Sequence, residues 1–220
     1  MKMESVGILI ELRPFGERDS VARIFTRDFG LLCGMIRGAQ VAKKNRALVG
    51  QIGNSSWNAR VDSQLGVFHW ESEKNLGAIL MMNPIKLSCM NSAFSLIATL
   101  LPERETYSDL FIHTDEMLKK LSMTEGKDEI KNIYLSWEVN LLQELGYALD
   151  LTKCSNCHKT ENLNYLSPRT GRAVCDECAK PYLDKLFRLP LDLEVMKKFL
   201  LKIYEHHCGI LPTSRNTLKI

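Results

Sequence analysis

Residues 8–39 read ILIELRPFGERDSVARIFTRDFGLLCGMIRGA, and this stretch holds three short strand-like segments separated by turn residues. The middle segment, 20–26, places successive side chains on alternate faces, as a half-buried strand does. Two turn signals, Pro14-Phe15-Gly16 and Asp28-Phe29-Gly30, separate the segments. The stretch therefore predicts three strands joined by tight turns.

Two more strand candidates follow within the first 80 residues. The five predicted strands occupy residues 6–12, 20–26, 30–37, 48–60 and 65–71. Gly34, Gly50 and Gly53 lie inside these candidates, where glycine often marks a bulge or a sharp bend. Five short, strongly bent strands suit a small closed barrel, and the OB-fold is the common five-stranded barrel that binds oligonucleotides. An SH3-like barrel would show a similar pattern, so the strands alone leave both open.

From Pro84 onward the apolar residues recur at three- and four-residue steps, which is typical of helices. The predicted helices occupy residues 85–101, 108–121, 128–146 and 193–207. Gly146 is a plausible C-cap of the third helix. The sequence thus predicts an α+β protein, with a small five-stranded barrel domain at 1–80 and a helical domain at 81–220.

The net charge of +3 is carried entirely by the first 80 residues. Within them, residues 30–60 contain no acidic residue and five cations: Arg37, Lys43, Lys44, Arg46 and Arg60. A locally basic stretch in a nearly neutral chain indicates a polyanion site such as a nucleic-acid interface. A solvated surface that aids solubility carries equal weight on charge alone.

Two aromatic residues near this basic stretch are candidates for stacking on bases. They are Trp57 and Phe68, and a place in the barrel core is the favoured interpretation for each. Trp57 also lies three residues before Arg60, so strand alternation predicts that the two side chains face opposite sides.

Four of the seven cysteines form two C-x-x-C pairs, Cys154 with Cys157 and Cys175 with Cys178, with 17 residues between the pairs. This spacing is typical of a structural zinc site, because each tight turn can aim two thiolates at one ion. We therefore predict a zinc module at about 150–185. An iron–sulfur cluster is also possible with four cysteines. Redox dithiols lack the neighbouring βαβ unit that they need, and disulfides are disfavoured in a reducing compartment.

Several charged residues lie close to the cysteines in the sequence. Arg169 and Arg172 could contact phosphate, and they could equally pair with acidic residues of the same domain. His158 could replace one thiolate, but four cysteines already complete the shell, so we expect it at the surface.

The sequence contains no common phosphate-binding, dinucleotide-binding or catalytic motif, which favours a binding protein over an enzyme. No apolar run approaches the roughly 20 residues of a membrane span, and the N-terminal one is too short for a signal peptide. The expected location is therefore the cytoplasm.

Two separate regions carry a recognisable pattern. The first is residues 8–39, with Gly16-Glu17-Arg18-Asp19, Phe25-Thr26, Gly30 and Arg37-Gly38-Ala39. The second joins the helix before Gly146, the two cysteine pairs and SPRTGRAVC at 167–175. Together they resemble the RecO family of recombination mediators, over about residues 5–190.

This resemblance implies an OB-fold followed by a helical domain with a zinc module. It also implies binding to single- and double-stranded DNA, annealing of complementary strands, and partnership with RecR and with the acidic tail of single-stranded-DNA-binding protein. Together these activities would load RecA on gapped DNA and would place the protein in association with the nucleoid. Some members lack the cysteines, which supports a scaffolding role for zinc.

Two other functions remain open from the residues alone. One is a zinc-containing protein-interaction adaptor with incidental DNA affinity. The other, weaker one is an unrecognised nuclease or redox enzyme that uses the cysteine pairs.

Overall fold

The computed structural model describes residues 1–41, 46–59, 65–147, 149–205, 209–218 and 220. Five strands come first: β1 Lys2–Phe15, β2 Asp19–Thr26, β3 Gly30–Ile36, β4 Gln51–Asn58 and β5 Gly66–Asn75. Four helices follow: α1 Leu76–Leu80, α2 Pro84–Leu100, α3 Ser108–Met123 and α4 Lys127–Glu144. The rest contains β6 Tyr165–Leu166, β7 Ala173–Val174, α5 Asp176–Ala179, a 3-10 helix at Lys180–Lys185, β8 Phe187–Arg188, α6 Leu193–Ile203 and α7 Thr213–Asn216.

The first five strands close into a barrel in the order β1-β2-β3-β5-β4. β1 pairs antiparallel with both β2 and β4, and β3 pairs in parallel with β5. This arrangement is OB-fold-like. The predicted α+β class, a five-stranded barrel followed by a helical region, is confirmed.

The barrel interior is filled by alternate strand residues, because successive side chains point to opposite faces of a strand. Trp57 is 1% exposed and Phe68 is 4% exposed, and both belong to this core. The core interpretation of these two aromatic residues is confirmed, and they are not available to stack on bases.

The three glycines predicted inside strands have different roles, and one of them, Gly50, lies outside any strand. Gly53 lies at a register shift between β4 and β5, as a bulge requires. At Gly34 a Cβ atom would lie 2.8 Å from the Phe68 ring, so this glycine marks a close approach and not a bulge. Gly50 precedes β4, with a positive φ of 86°.

Local signals set the ends of the long helices close to their predicted positions. Asn83 caps α2 through its side chain, which accepts hydrogen bonds from the backbone N–H groups of Ile85 and Lys86. Gly146 follows α4 with φ of 83°, and its N–H donates to the carbonyl of Gln143, which confirms the C-cap. Helix α6 ends at Ile203. The final residues of the predicted helix, 206–207, lie outside the described residues.

The chain divides into two compact units, Met1–Ile133 with Pro212–Ile220, and Tyr134–Leu211. The first unit contains the barrel with α1, α2 and α3, and the second contains the cysteine pairs. The domain ranges read from the sequence, 1–80 and 81–220, stay predictions. Within the described ranges, no helix combines the length and apolar character that crossing a membrane requires.

The second unit contains a small three-stranded sheet in the order β7-β6-β8. Its strands have two residues each, too short for an alternating pattern to reveal them in the sequence. The sheet holds the stretch between the two cysteine pairs in a hairpin, with Tyr165 opposite Val174 and Leu166 opposite Ala173.

Candidate metal centre and nucleic-acid interface

The four predicted cysteines come together in one group, hereafter the cysteine cage: Cys154, Cys157, Cys175 and Cys178. Their Sγ atoms all lie within 4.8 Å of one another, and those of Cys157 and Cys175 are 3.6 Å apart. Four sulfurs about 2.3 Å from one tetrahedral ion would be separated by about 3.8 Å. The donor set and its spacing therefore fit a metal ion with four thiolate ligands.

Two turns position the sulfurs of the cage. In the first, the backbone N–H of His158 donates to the carbonyl of Cys154, and His158 has a positive φ of 61°. Its side chain is exposed, as predicted. In the second, Cys175 follows β7 directly and Cys178 lies in α5, so a tight turn after a strand brings the second pair to the first.

The thiols of the cage are electrostatically coupled. Burial raises the pKa of Cys154, but backbone N–H groups of Cys157, Cys175 and Asn156 donate to its sulfur and lower the pKa to about 6. At Cys157, a backbone hydrogen bond from Lys159 favours the thiolate, but burial and the three neighbouring sulfurs raise the pKa to about 11. Thiolates this close repel one another, and a bound cation would remove that repulsion.

The apolar cluster around the cage is small. Val174 and Ala179 are buried together with Cys154 and Cys175, and four further side chains are partly buried against them. A cluster of this size supplies little hydrophobic stabilisation, so a metal ion would contribute much of the cohesion of this segment.

Arg169 and Arg172 are exposed on the segment that joins β6 to β7. Among the described residues, no carboxylate forms an ion pair with either guanidinium. The backbone of Arg172 pairs with that of Asp150. The Arg172 backbone is therefore fixed, while the Arg172 side chain is exposed to solvent. Contact of these two arginines with DNA stays a prediction.

In the first unit, Arg37 and Arg46 are exposed on the connection between β3 and β4. Arg37 lines a cavity of about 510 Å³, hereafter the seam cleft, whose lining includes Ile36, Ala47, Phe68, His69 and Trp70. Lys43, Lys44 and Arg60, the other three predicted DNA contacts, lie outside the described residues.

The start of this connection is tied to the turn between β1 and β2. The backbone N–H of Gly38 donates to the Asp19 carboxylate at 2.8 Å, and the Gln40 N–H donates to the Arg18 carbonyl at 3.0 Å. The Gln40 side chain also donates to the carbonyl of Gly16. Arg37 therefore projects from a fixed backbone.

The end of the connection is tied to β4 and β5 by Gln51, which is 5% exposed. Its side-chain oxygen accepts from the Leu48 N–H and from the Trp70 indole N–H, both at 3.1 Å. Its side-chain nitrogen donates to the Arg46 carbonyl at 3.0 Å.

Neither Gln51 nor Trp70 was singled out from the sequence. Trp70 could have been found because it lies two residues after the core residue Phe68, but no local pattern marks Gln51.

The outer face of β2 and the start of β3 are in contact with other elements of the first unit. Phe25 packs against Phe111 of α3 with ring centroids 5.7 Å apart, and Arg23 donates to the Ala98 carbonyl in α2 at 3.1 Å. The backbone of Glu105 packs directly against Gly30. A Cβ atom added at Gly30 would lie 1.7 Å from the carbonyl oxygen of Glu105. This is the face that OB-folds commonly use for oligonucleotides. The seam cleft is therefore the better candidate.

A second cavity, bordered by β1, β4, β5 and the turn after β2, is lined by three carboxylates, Glu4, Asp28 and Glu71, and Glu73 lies farther along β5. The nearby cations Lys2 and Arg27 already pair with Glu4 and Asp28. The remaining carboxylates make this cavity a poorer candidate for binding phosphate than the seam cleft.

A family model of the N-terminal part of recombination protein O matches residues 1–86, and one of its C-terminal part matches residues 81–194. The chain belongs to the RecO family. The DNA repair protein RecO of Granulibacter bethesdensis is 37% identical over 193 residues, covering 86% of this chain and 76% of that protein. That of Rickettsia felis is 36% identical over 190 residues, covering 86% and 78%.

A third relative, the DNA repair protein RecO of a Ruegeria species, is 34% identical over 191 residues, covering 86% of this chain and 78% of that protein. The resemblance to the RecO family read from the sequence is thus confirmed. The seam cleft falls inside the N-terminal RecO match and the cysteine cage inside the C-terminal one.

Proposed function

We propose that this RecO-family chain is a DNA-binding recombination mediator that anneals complementary strands. With RecR, it would help to load RecA on single-stranded DNA at gaps during recombinational repair. The observation that carries the proposal is a pair of exposed arginines, Arg37 and Arg46, on the connection between β3 and β4. Hydrogen bonds hold both ends of this connection beside the seam cleft. The names of the relatives, DNA repair protein RecO, agree with it.

Annealing requires a surface that lowers the repulsion between two polyanions. Cations that neutralise phosphates release condensed counterions, and this release drives binding that is independent of base sequence. Each unit offers exposed arginines for this purpose, Arg37 and Arg46 in the first and Arg169 and Arg172 in the second. The proposal assigns no covalent step to the protein.

The proposal gives the cysteine cage a structural zinc ion. Two C-x-x-C turns and a tetrahedral spacing of four sulfurs are typical of structural zinc sites, and this supports zinc as the ion. Four thiolates complete the shell and leave no position for water or substrate, so the ion would hold the module together and not act on DNA. The proposed partners are single- and double-stranded DNA, RecR and the acidic tail of single-stranded-DNA-binding protein.

An annealing assay with two complementary oligonucleotides, run with and without single-stranded-DNA-binding protein, tests this function. We expect the protein to accelerate annealing in both conditions and the acceleration to fall as salt rises. Replacing Arg37 and Arg46 by Ala should slow annealing, whereas replacing Arg13 and Lys185, two cations outside the seam cleft, should not. No acceleration at low ionic strength would contradict the proposal.

A second candidate function is a protein-interaction adaptor with incidental DNA affinity. It is favoured by Tyr182 and Leu183, which are 55% and 50% exposed on a 3-10 helix that buries none of its side chains. An exposed aromatic and aliphatic pair is suited to a protein partner. Tight binding of RecR that survives loss of Arg37 and Arg46, with annealing unaffected by that loss, would favour the adaptor.

A further inference from the structure

The seam cleft exists because β3 and β5 separate. The two strands pair only from Gly34 to Ile36 and from Gly66 to Phe68. β3 then ends, while β5 continues to Asn75. His69 and Trp70 therefore lie beyond the last pair, and the opening of about 510 Å³ falls within the roughly 300–1,000 Å³ that ligand cavities occupy.

The floor of the cleft is apolar and its rim is polar. Ile36, Ala47 and Phe68 are buried side chains of the floor, while Arg37 and His69 are exposed at the rim. None of the described lining residues is acidic, and at the rim the carboxylate of Glu71 lies 3.0 Å from the His69 ring. An apolar floor with a cation at its edge suits a ligand that is flat and apolar in one part and anionic in another.

Trp70 is the aromatic side chain that is half-buried in this lining. Its indole N–H donates to Gln51, whose side chain is held in turn by the backbone of Arg46 and Leu48. The ring is thus fixed before any ligand arrives, which lowers the entropy lost on binding.

We propose that the seam cleft receives one unstacked nucleotide of a single strand, with its base against Trp70 and an adjacent phosphate on Arg37. The inference rests on the proposed function, and it names the subsite by which the protein would distinguish single strands from duplexes. In a duplex each base is paired and stacked between neighbours and cannot enter the cleft. A duplex would therefore contact the cations through its phosphates alone.

A comparison of two oligonucleotides with the unaltered protein tests the subsite. An oligothymidylate and an abasic strand of equal length carry the same phosphates, and only the first carries bases. We expect the abasic strand to bind roughly 5- to 150-fold more weakly, the range for stacking of one base. Its salt dependence should be unchanged, because that slope counts phosphate contacts.

Equal affinity for the two strands would overturn the subsite while leaving the proposed function intact. Failure to bind either strand or a duplex at low salt would instead overturn the proposed function. The two failures are therefore distinguishable in one series of titrations.

Two pairs of variants locate the subsite. Ala47→Leu should fill the cleft and remove the preference for oligothymidylate over the abasic strand, while Ala78→Leu, exposed on α1, should retain it. Oligothymidylate should quench tryptophan fluorescence, and the quenching should be lost in Trp70→Phe but kept in Trp137→Phe, which alters a buried residue of the second unit. Quenching that persists in Trp70→Phe would overturn the assignment of this ring.

Discussion

The indole nitrogen of Trp57 donates a hydrogen bond to the backbone carbonyl of Cys33 across 2.9 Å. Trp57 lies in β4 opposite Phe68 of β5, so its side chain reaches through the barrel interior to β3. Because β3 and β5 pair at only three positions, this hydrogen bond joins β3 to the rest of the barrel where the sheet is weakest. Gly66 leaves the space that the indole ring occupies.

Gly66→Ala should destabilise the barrel, because the added Cβ would lie 2.0 Å from the indole nitrogen of Trp57. We expect a loss of about 3 kcal/mol in the free energy of unfolding, measured with urea, as the ring and the strand shift. Gly16→Ala is the comparison, since Gly16 has a positive φ but nothing within 4 Å of its Cβ position. It should cost about 1 kcal/mol. Equal losses would show that the space around Trp57 is not tight.

Trp57→Phe should keep an aromatic ring in the core but leave the Cys33 carbonyl without its indole donor. Loss of this partly buried hydrogen bond should cost about 1 kcal/mol, which urea unfolding can resolve. The matched control is Tyr182→Phe, which removes a polar atom from an exposed ring and should change stability by less than about 0.5 kcal/mol. Two variants of equal stability would remove this hydrogen bond from the account of barrel closure.

Cys175→Ser should lose the bound metal, because a serine hydroxyl does not replace a thiolate ligand of zinc. Without the ion, amide hydrogens at residues 150–185 should exchange faster, while exchange in the barrel strands stays slow. Metal content by mass spectrometry and hydrogen exchange check both parts. Cys33→Ser, outside the cage, should keep the metal. A Cys175→Ser protein with full metal content and wild-type exchange would refute the structural zinc site.

Arg37 and Arg46 should contribute to the salt dependence of DNA binding. If each neutralises one phosphate, replacing both by Ala should reduce the slope of log affinity against log salt by about 1.8 for duplex and about 1.4 for single strands. The same change is expected for Lys43 and Lys44. Arg13→Ala, on an exposed cation paired with Glu11, should leave the slope unchanged. An unchanged slope in either double variant would exclude that pair from phosphate contact.

Asp28 should make part of the stability of the barrel sensitive to acid. Hydrogen bonds from Arg27 and then Ser5 lower its pKa below the ordinary value. A carboxyl whose pKa is lowered on folding contributes stability that is complete above the unfolded pKa of about 3.9 and is lost as the pH falls through the folded pKa. The contribution is about 0.5 kcal/mol or less, because the side chain is 42% exposed.

The variant Asp28→Asn should therefore be less stable than the wild type at pH 6, and the difference should shrink at pH 3. Glu161→Gln, on an exposed carboxylate of the second unit, provides the control. Urea unfolding followed by a probe in the barrel measures both. A difference between wild type and Asp28→Asn that grows at pH 3 would contradict the sign of this effect.

Much of the fold could be predicted because its signals are local. Alternation over 20–26 and the turns beside it indicate strands, and Asn83 and Pro84 start a helix. The spacing of the two C-x-x-C pairs indicates that the four cysteines form one site. The two-residue strands around the cage could not be found, because a pattern of period two needs several residues to appear.

The candidate nucleic-acid interface was only partly predictable. Charge located Arg37 and Arg46, but the aromatic residues singled out with them, Trp57 and Phe68, lie in the barrel core. Trp70 and Gln51 became visible only through their hydrogen bonds to the connection that carries Arg46.

By itself, the sequence determined the barrel strands, the long helices, the RecO family and the four cysteines of the cage. The strands, helices and cysteine pairs follow from periodicity, capping and spacing, which are local to the chain, whereas the family follows from the resemblance of two separate regions. Only the tertiary structure decided that α2 and α3 pack against the outer face of β2, that β3 and β5 separate beside Arg37, and that four sulfurs converge within 4.8 Å. Those features depend on packing between distant segments, and no local pattern of residues encodes which faces will meet.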